Sequence, residues 1–211
     1  MKLLVVDESK AKKFILCVVQ IEQEDVPATR VLVKRQRMKG QRRVHLAKES
    51  EPRKREILST FSKARLISKT YVVHGMGEKY ARELCLRQMV ADLQQSEQYS
   101  IIFDADENHF VNDGRVIRSA LQQRGMLSQV EYRHQEPSAE VLLWIPDAIA
   151  WAYARGGVWR KHISDLEMVV WETHYCAKPR TTTVRRSLWA HYLKLLLSIT
   201  KRINSPLDIV K

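Results

Sequence analysis

Short apolar runs alternate with helical periodicities along most of this chain, and that alternation restricts its fold more than any other feature. Leu3 to Val6 is apolar and ends on Asp7-Glu8-Ser9; Phe14 to Ile21 follows after a lysine-rich turn. The opening therefore reads as strand, turn and strand. Pro27 opens a segment from Ala28 to Met38 that reads as helix, with Val31 and Val33 also compatible with strand; Gly40 ends it. Arg43 to Leu46 reads as a short strand. Pro52 to Lys63 fits a helix with Ile57, Leu58 and Phe61 on one face, and Leu66 to Val73 a strand. Glu78 to Gln95 has the clearest amphipathic pattern, with Tyr80, Leu84, Met89 and Leu93 at helical spacing. Tyr99 to Phe103 predicts a buried strand ending at Asp104, Asp113 to Arg124 a helix, and Gln129 to Arg133 a strand. Val141 to Ala154 predicts a mostly apolar helix, and Thr183 to Arg202 carries a long helical pattern. Strands alternating with helices predict an α/β sheet covered by helices.

No apolar run approaches the roughly 18–20 residues that cross a bilayer. Lys2 precedes only a short apolar stretch that runs into Asp7 and Glu8, which argues against a secretion signal. Cys17, Cys85 and Cys176 lie far apart without C-x-x-C spacing, so neither a zinc site nor a disulfide framework is indicated. A cytoplasmic protein with free thiols is the expectation. A weak boundary falls near Gly156-Gly157. It predicts one domain over residues 1–155 and a mainly helical C-terminal extension, 156–211, packed on it.

Charge narrows the partners. Thirty-six Lys and Arg face 24 acids, a formal net charge of +12. Such an excess favours a polyanion, usually nucleic acid. Eleven of these cations and only two acids lie between Arg30 and Arg55. Arg35, Arg37, Arg42, Arg43, Lys48 and Arg53 are the phosphate-binding candidates there, and Arg185 and Arg186 near Trp189 repeat the theme in the tail.

Within this basic chain, a few acids stand in unusual places. Asp7 and Asp104 each follow a strongly apolar run, where a carboxylate is held at the rim of a sheet. Asp147 interrupts the apolar Trp144-Ile145-Pro146-Asp147-Ala148-Ile149 helix, where an ionised group is costly unless paired or metal-bound. Glu49, four residues after His45, is the fourth candidate. Carboxylates gathered from distant parts of a chain suit Mg²⁺ or Mn²⁺, which prefer oxygen ligands. Taken singly, Asp7 and Asp104 also suit caps or turns, Glu49 a surface acid beside Lys48, and Asp147 a first-turn residue after Pro146.

Three blocks occur in a telling order: Val5-Val6-Asp7-Glu8-Ser9, Ile101-Ile102-Phe103-Asp104 and Leu143-Trp144-Ile145-Pro146-Asp147-Ala148-Ile149-Ala150. They resemble the bacterial RNase H-like proteins known as domain of unknown function 3800, over about Lys2 to Ala154. Arg43-Val44-His45-Leu46-Ala47-Lys48-Glu49 is similar to a further block of that family. The resemblance implies an RNase H-like mixed sheet flanked by helices and a divergent metal-dependent nuclease. It implies that Asp7, Glu49, Asp104 and Asp147 are metal ligands and catalytic residues, with Glu8 supporting them; His45, four residues before Glu49, is separately the histidine best placed to assist proton transfer. Lys10 stands where the family usually has glycine, which predicts a different first turn.

The leading expectation is thus a Mg²⁺- or Mn²⁺-dependent nuclease acting on RNA or DNA. Its rivals are a non-catalytic nucleic-acid-binding protein with a degenerate acidic site, and an assembly protein docking through its Trp-rich C-terminal region.

Overall fold

The computed structural model describes residues 1–10, 13–64, 66–106, 109–166 and 169–174. They form six strands and six helices: β1 (Lys2–Lys10), β2 (Phe14–Glu22), α1 (Val26–Lys34), α2 (Glu51–Ser62), β3 (Ile67–His74), α3 (Glu78–Ala91), β4 (Tyr99–Asp104), α4 (Phe110–Gln123), β5 (Val130–Gln135), α5 (Trp144–Arg155), α6 (Gly157–Lys161) and β6 (Val169–His174). The strands make one sheet in the order β5-β4-β1-β2-β3-β6. β2 pairs antiparallel with β1 and β3, whereas β1–β4, β4–β5 and β3–β6 are parallel. An antiparallel meander of β1, β2 and β3, extended beside β1 by parallel β4 and β5 and beside β3 by β6, with helices on both faces, is the RNase H-like α/β fold.

β1 lies at the centre and is buried on both faces, which is why Leu3 to Val6 is an unbroken apolar run rather than an alternating one. One face of the sheet, carrying Leu3, Val5, Ile15, Cys17, Val19, Val72 and Ile102, packs on Ile57, Leu58 and Phe61 of α2 and on the apolar length of α5. Period-2 alternation turns Leu4, Val6, Leu16 and Phe103 to the other face. There α3 and α4 cover the sheet with Leu84, Met89, Val116, Ile117 and Leu121.

Several elements differ from the sequence reading. β1 does not end before Asp7, because β2 pairs with it as far as Lys10 opposite Phe14. What ends at that level is the β1–β4 ladder, whose last pair is Val6 with Phe103. Arg43 to Leu46 is not a strand; a 3₁₀ turn spans Leu46–Lys48. Val44 and Leu46 satisfy their apolar alternation by dropping into the core below α5, without joining a ladder. A second 3₁₀ turn, Val141–Leu143, precedes α5, so the apolar helix starts at Trp144. Pro146 falls in its first turn, where no N–H is needed. Tyr80 is 62% exposed, because the buried face of α3 runs through Ala81, Leu84 and Cys85 instead.

The compact unit runs from Met1 to Cys176, past Gly156, and β6 supplies an edge strand to the sheet. Ala177–Lys211 is a second unit. The predicted helix over Thr183 to Arg202 lies outside the described residues, as do Arg185 and Arg186. Among the described residues no helix is long and apolar enough to cross a membrane.

Candidate metal centre

Asp7 and Asp104 stand side by side. Each is one residue beyond the last β1–β4 pair, on neighbouring parallel strands about 4.8 Å apart. Strand alternation sends both to the face of Val5 and Ile102, the face that α5 covers. Asp147 lies in the first turn of α5, so the packing of α5 on β1 brings a third carboxylate to the same place.

Electrostatics record the crowding. The Asp7 carboxyl is buried and raised well above the usual carboxylate range, first by burial and then by the charges of Asp147, Asp104 and Glu8. Its Oδ1 accepts one hydrogen bond, from the Glu8 N–H at 2.7 Å, which opposes that rise. Asp104 is pushed up to about 6, mainly by burial; Arg43 pulls it down, and Glu8 and Glu136 push it up. Asp147 Oδ2 accepts a hydrogen bond from the Leu46 N–H at 3.2 Å and lies 3.4 Å from His45 Nδ1. The loop that fails to become a strand thus does local work: it carries a backbone donor and an imidazole to Asp147.

The other acids behave differently. Glu49 closes the same 3₁₀ turn and accepts from Gln41 Nε2 at 2.9 Å. Glu8, next to Asp7 in sequence, turns to the opposite face. There it meets Arg82 Nη1 at 2.7 Å and Lys10 Nζ at 3.4 Å. Among the described residues, no three of Asp7, Glu49, Asp104 and Asp147 have carboxylate oxygens all within 4.8 Å of one another. The set is gathered, not closed.

These donors fit a hard divalent cation. All are carboxylate oxygens, and they come from two strands and a helix whose backbones are fixed by ladders and packing. Burial and then the neighbouring carboxylates raise Asp7, and a cation among the three carboxylates would offset both.

The segment that carries His45 and the Leu46 N–H to Asp147 forms a cationic rim. Arg35, Arg37, Arg42, Arg43 and Lys48 are exposed, and Arg43 is the one whose charge acts on Asp104. Arg53 is half-buried and already engaged, donating to the Gln36 carbonyl at 2.5 Å and pairing with Glu56 at 2.7 Å. Asp147, Trp151 and Arg155 follow one another at i, i+4 and i+8 on α5. Lys54 Nζ lies 5.1 Å from the Trp151 ring centre and the Arg155 guanidinium 5.6 Å from it. Sequence reasoning missed this aromatic strip one turn from Asp147. It also missed the buried Arg82, whose guanidinium grips Asp113 with two bonds of 2.8 and 2.7 Å, while His134 Nε2 lies 3.2 Å from Asp113 Oδ2. The signal was present: Arg82, Cys85 and Met89 share one helical face, and an arginine on an apolar face demands a carboxylate partner.

No protein-family model matches the chain, and neither does any curated protein. Compared by fold, it is similar to a chain of the structure described as the PCNA:RNase HII complex from Archaeoglobus fulgidus. The TM-score is 0.49 and the identity 14%, over 92% of this chain and 90% of that chain.

Proposed function

We propose that this protein is a divalent-metal-dependent nuclease that hydrolyses phosphodiesters of RNA or DNA. One observation carries the reading: Asp7, Asp104 and Asp147 meet on one sheet face, with Asp7 raised first by burial and then by the charges of the other two, beside an exposed Arg and Lys loop. In this reading Mg²⁺ or Mn²⁺, when bound, activates a water and stabilises the leaving oxygen of the phosphodiester. Asp7 and Asp104 hold the cation from the sheet and Asp147 from the helix. His45 and the Leu46 N–H keep the Asp147 carboxylate turned towards the sheet. Glu49, held by Gln41 Nε2 at 2.9 Å, would complete the set. Glu8 acts through its charge, from the far side of β1.

Substrate binding falls to the rim. Arg35, Arg37, Arg42, Arg43 and Lys48 contact phosphates, so affinity falls steeply with salt. Arg53 holds the Gln36 carbonyl and so braces the loop that presents them. Trp151, flanked by Lys54 and Arg155, offers a base-stacking surface next to Asp147.

The alternative is a nucleic-acid-binding protein with a degenerate acidic site, favoured by the failure of the four carboxylates to close within 4.8 Å. Incubation of the purified chain with single- and double-stranded RNA and DNA, with Mg²⁺ or Mn²⁺, separates the two. The nuclease reading expects metal-dependent cleavage that Asp7→Asn lowers by about 100-fold or more. Equal cleavage by wild type and Asp7→Asn sinks the assignment, and salt-sensitive binding without cleavage supports the alternative.

A further inference from the structure

We propose a second metal site, independent of the acidic set, in which His74, Glu172 and His174 bind a borderline transition-metal ion of the Zn²⁺ class at the edge of the sheet. The parallel β3–β6 ladder pairs His74 with His174 and Val72 with Glu172. Residues two apart on a strand share a face, so Glu172 and His174 present their side chains together, and His74 joins them from the next strand. One ligating atom from each of the three lies within 4.8 Å of the others. The His74 and His174 rings stack 4.2 Å apart at 11°, and His74 Nε2 is 2.5 Å from Glu172 Oε1.

The donor set differs in kind from the one at Asp7. Two imidazoles and a carboxylate favour Zn²⁺ and its neighbours over Mg²⁺. Three protein ligands, with Glu172 and His174 exposed and His74 half-buried, would leave a fourth position to water. Lys13 is the cation whose charge also acts on Glu172, from the β2 side. A second cluster, Glu8, Asp106 and His109, also draws within 4.8 Å. It already holds a cation, because Lys10 Nζ sits 3.4 Å from Glu8, 3.6 Å from Asp106 and 3.4 Å from His109 Nε2. The edge site has no ammonium threaded through it in this way among the contacts of the described residues. A metal there would staple β6, which among the described residues pairs with β3 alone, to the rest of the sheet.

The test is titration of the metal-stripped full chain with Co²⁺, read by visible absorption, and with Zn²⁺ in competition. The expected result is one bound ion whose affinity falls by about tenfold or more in His74→Gln and in His174→Gln. Asp7→Asn should retain wild-type affinity, which separates this site from the proposed nuclease centre. Absence of binding by wild type, or a loss smaller than that in both histidine variants, overturns the proposal. A readout on the unmutated protein guards against misfolded variants: substoichiometric Co²⁺ should shift or broaden the ring resonances of His74 and His174 before those of His45, His109 or His134. The reverse order overturns it as well.

Discussion

Asp7 and Glu8 are neighbours on β1, yet they meet opposite electrostatic fates on the two faces of one sheet. On the Glu8 face, every buried acid has a cation. Arg82 reaches Glu8 with one nitrogen and Asp113 with two, and His134 adds to Asp113. Although burial alone pushes Asp113 up, Arg82 and His134 hold its carboxyl below the usual range. On the Asp7 face, burial and neighbouring carboxylates drive Asp7 and Asp104 upward, and Arg43 alone among their main influences is cationic. The first arrangement stabilises a fold. The second costs stability, and it occurs where three elements converge on one spot.

Breaking the paired face should have the largest effect. Arg82→Met leaves the fully buried Asp113 with His134 alone and should cost about 3–5 kcal/mol in denaturant unfolding. A loss under 1 kcal/mol would mean that the buried network is not what ties α3 and α4 to β1.

The unpaired face should respond in the opposite direction. Asp104 carries a folded-state value of about 6 against its ordinary 3.8, so the folded protein holds the extra proton between those limits. Stability therefore falls as pH rises from about 4 through about 6. Asp104→Asn removes that loss and should stabilise the metal-free protein at pH 7.5 by roughly 1–2 kcal/mol, allowing for solvent screening. The gain should vanish near pH 4. A destabilisation at pH 7.5, or a gain independent of pH, would break the comparison.

Smaller effects sharpen it at the rim. Arg43→Gln should lower the slope of log K against log salt for nucleic-acid binding by about one phosphate contact. Arg53→Gln should leave that slope unchanged and lower stability by about 1 kcal/mol, since its guanidinium is spent on Gln36 and Glu56. Equal slopes for wild type and Arg43→Gln would remove the basic loop from the binding surface.

Much of the layout was legible because it rests on local pattern. The unbroken run Leu3 to Val6 marks a central strand, and the spacing of Ile57, Leu58 and Phe61 marks a helix packed on one side. The acids at Asp7, Asp104 and Asp147 stood out because each interrupts or ends apolar sequence, and the structure brings those three to one sheet face. Their separation was not legible, since it depends on how α5 crosses β1. Glu8 faces the other side of the sheet, because adjacent residues on a strand point to opposite faces, and its charge reaches Asp7 and Asp104 from there. The spacing of Arg82 on the apolar face of α3 called for a carboxylate without saying which one, and the His74 cluster could not be read from spacing at all, because the partners of both lie far apart in sequence. The strand expected at Arg43 to Leu46 failed because alternation reports which side chains are buried, not whether a ladder partner exists.

The most direct test of the central claim is Mn²⁺ binding followed by electron paramagnetic resonance in wild type, Asp7→Asn and Glu8→Gln, all carrying His174→Gln to silence the edge site. The account predicts that Asp7→Asn weakens binding by about tenfold or more while Glu8→Gln changes it little. Equal loss in the two neighbours, or Mn²⁺ binding that survives Asp7→Asn, would contradict it.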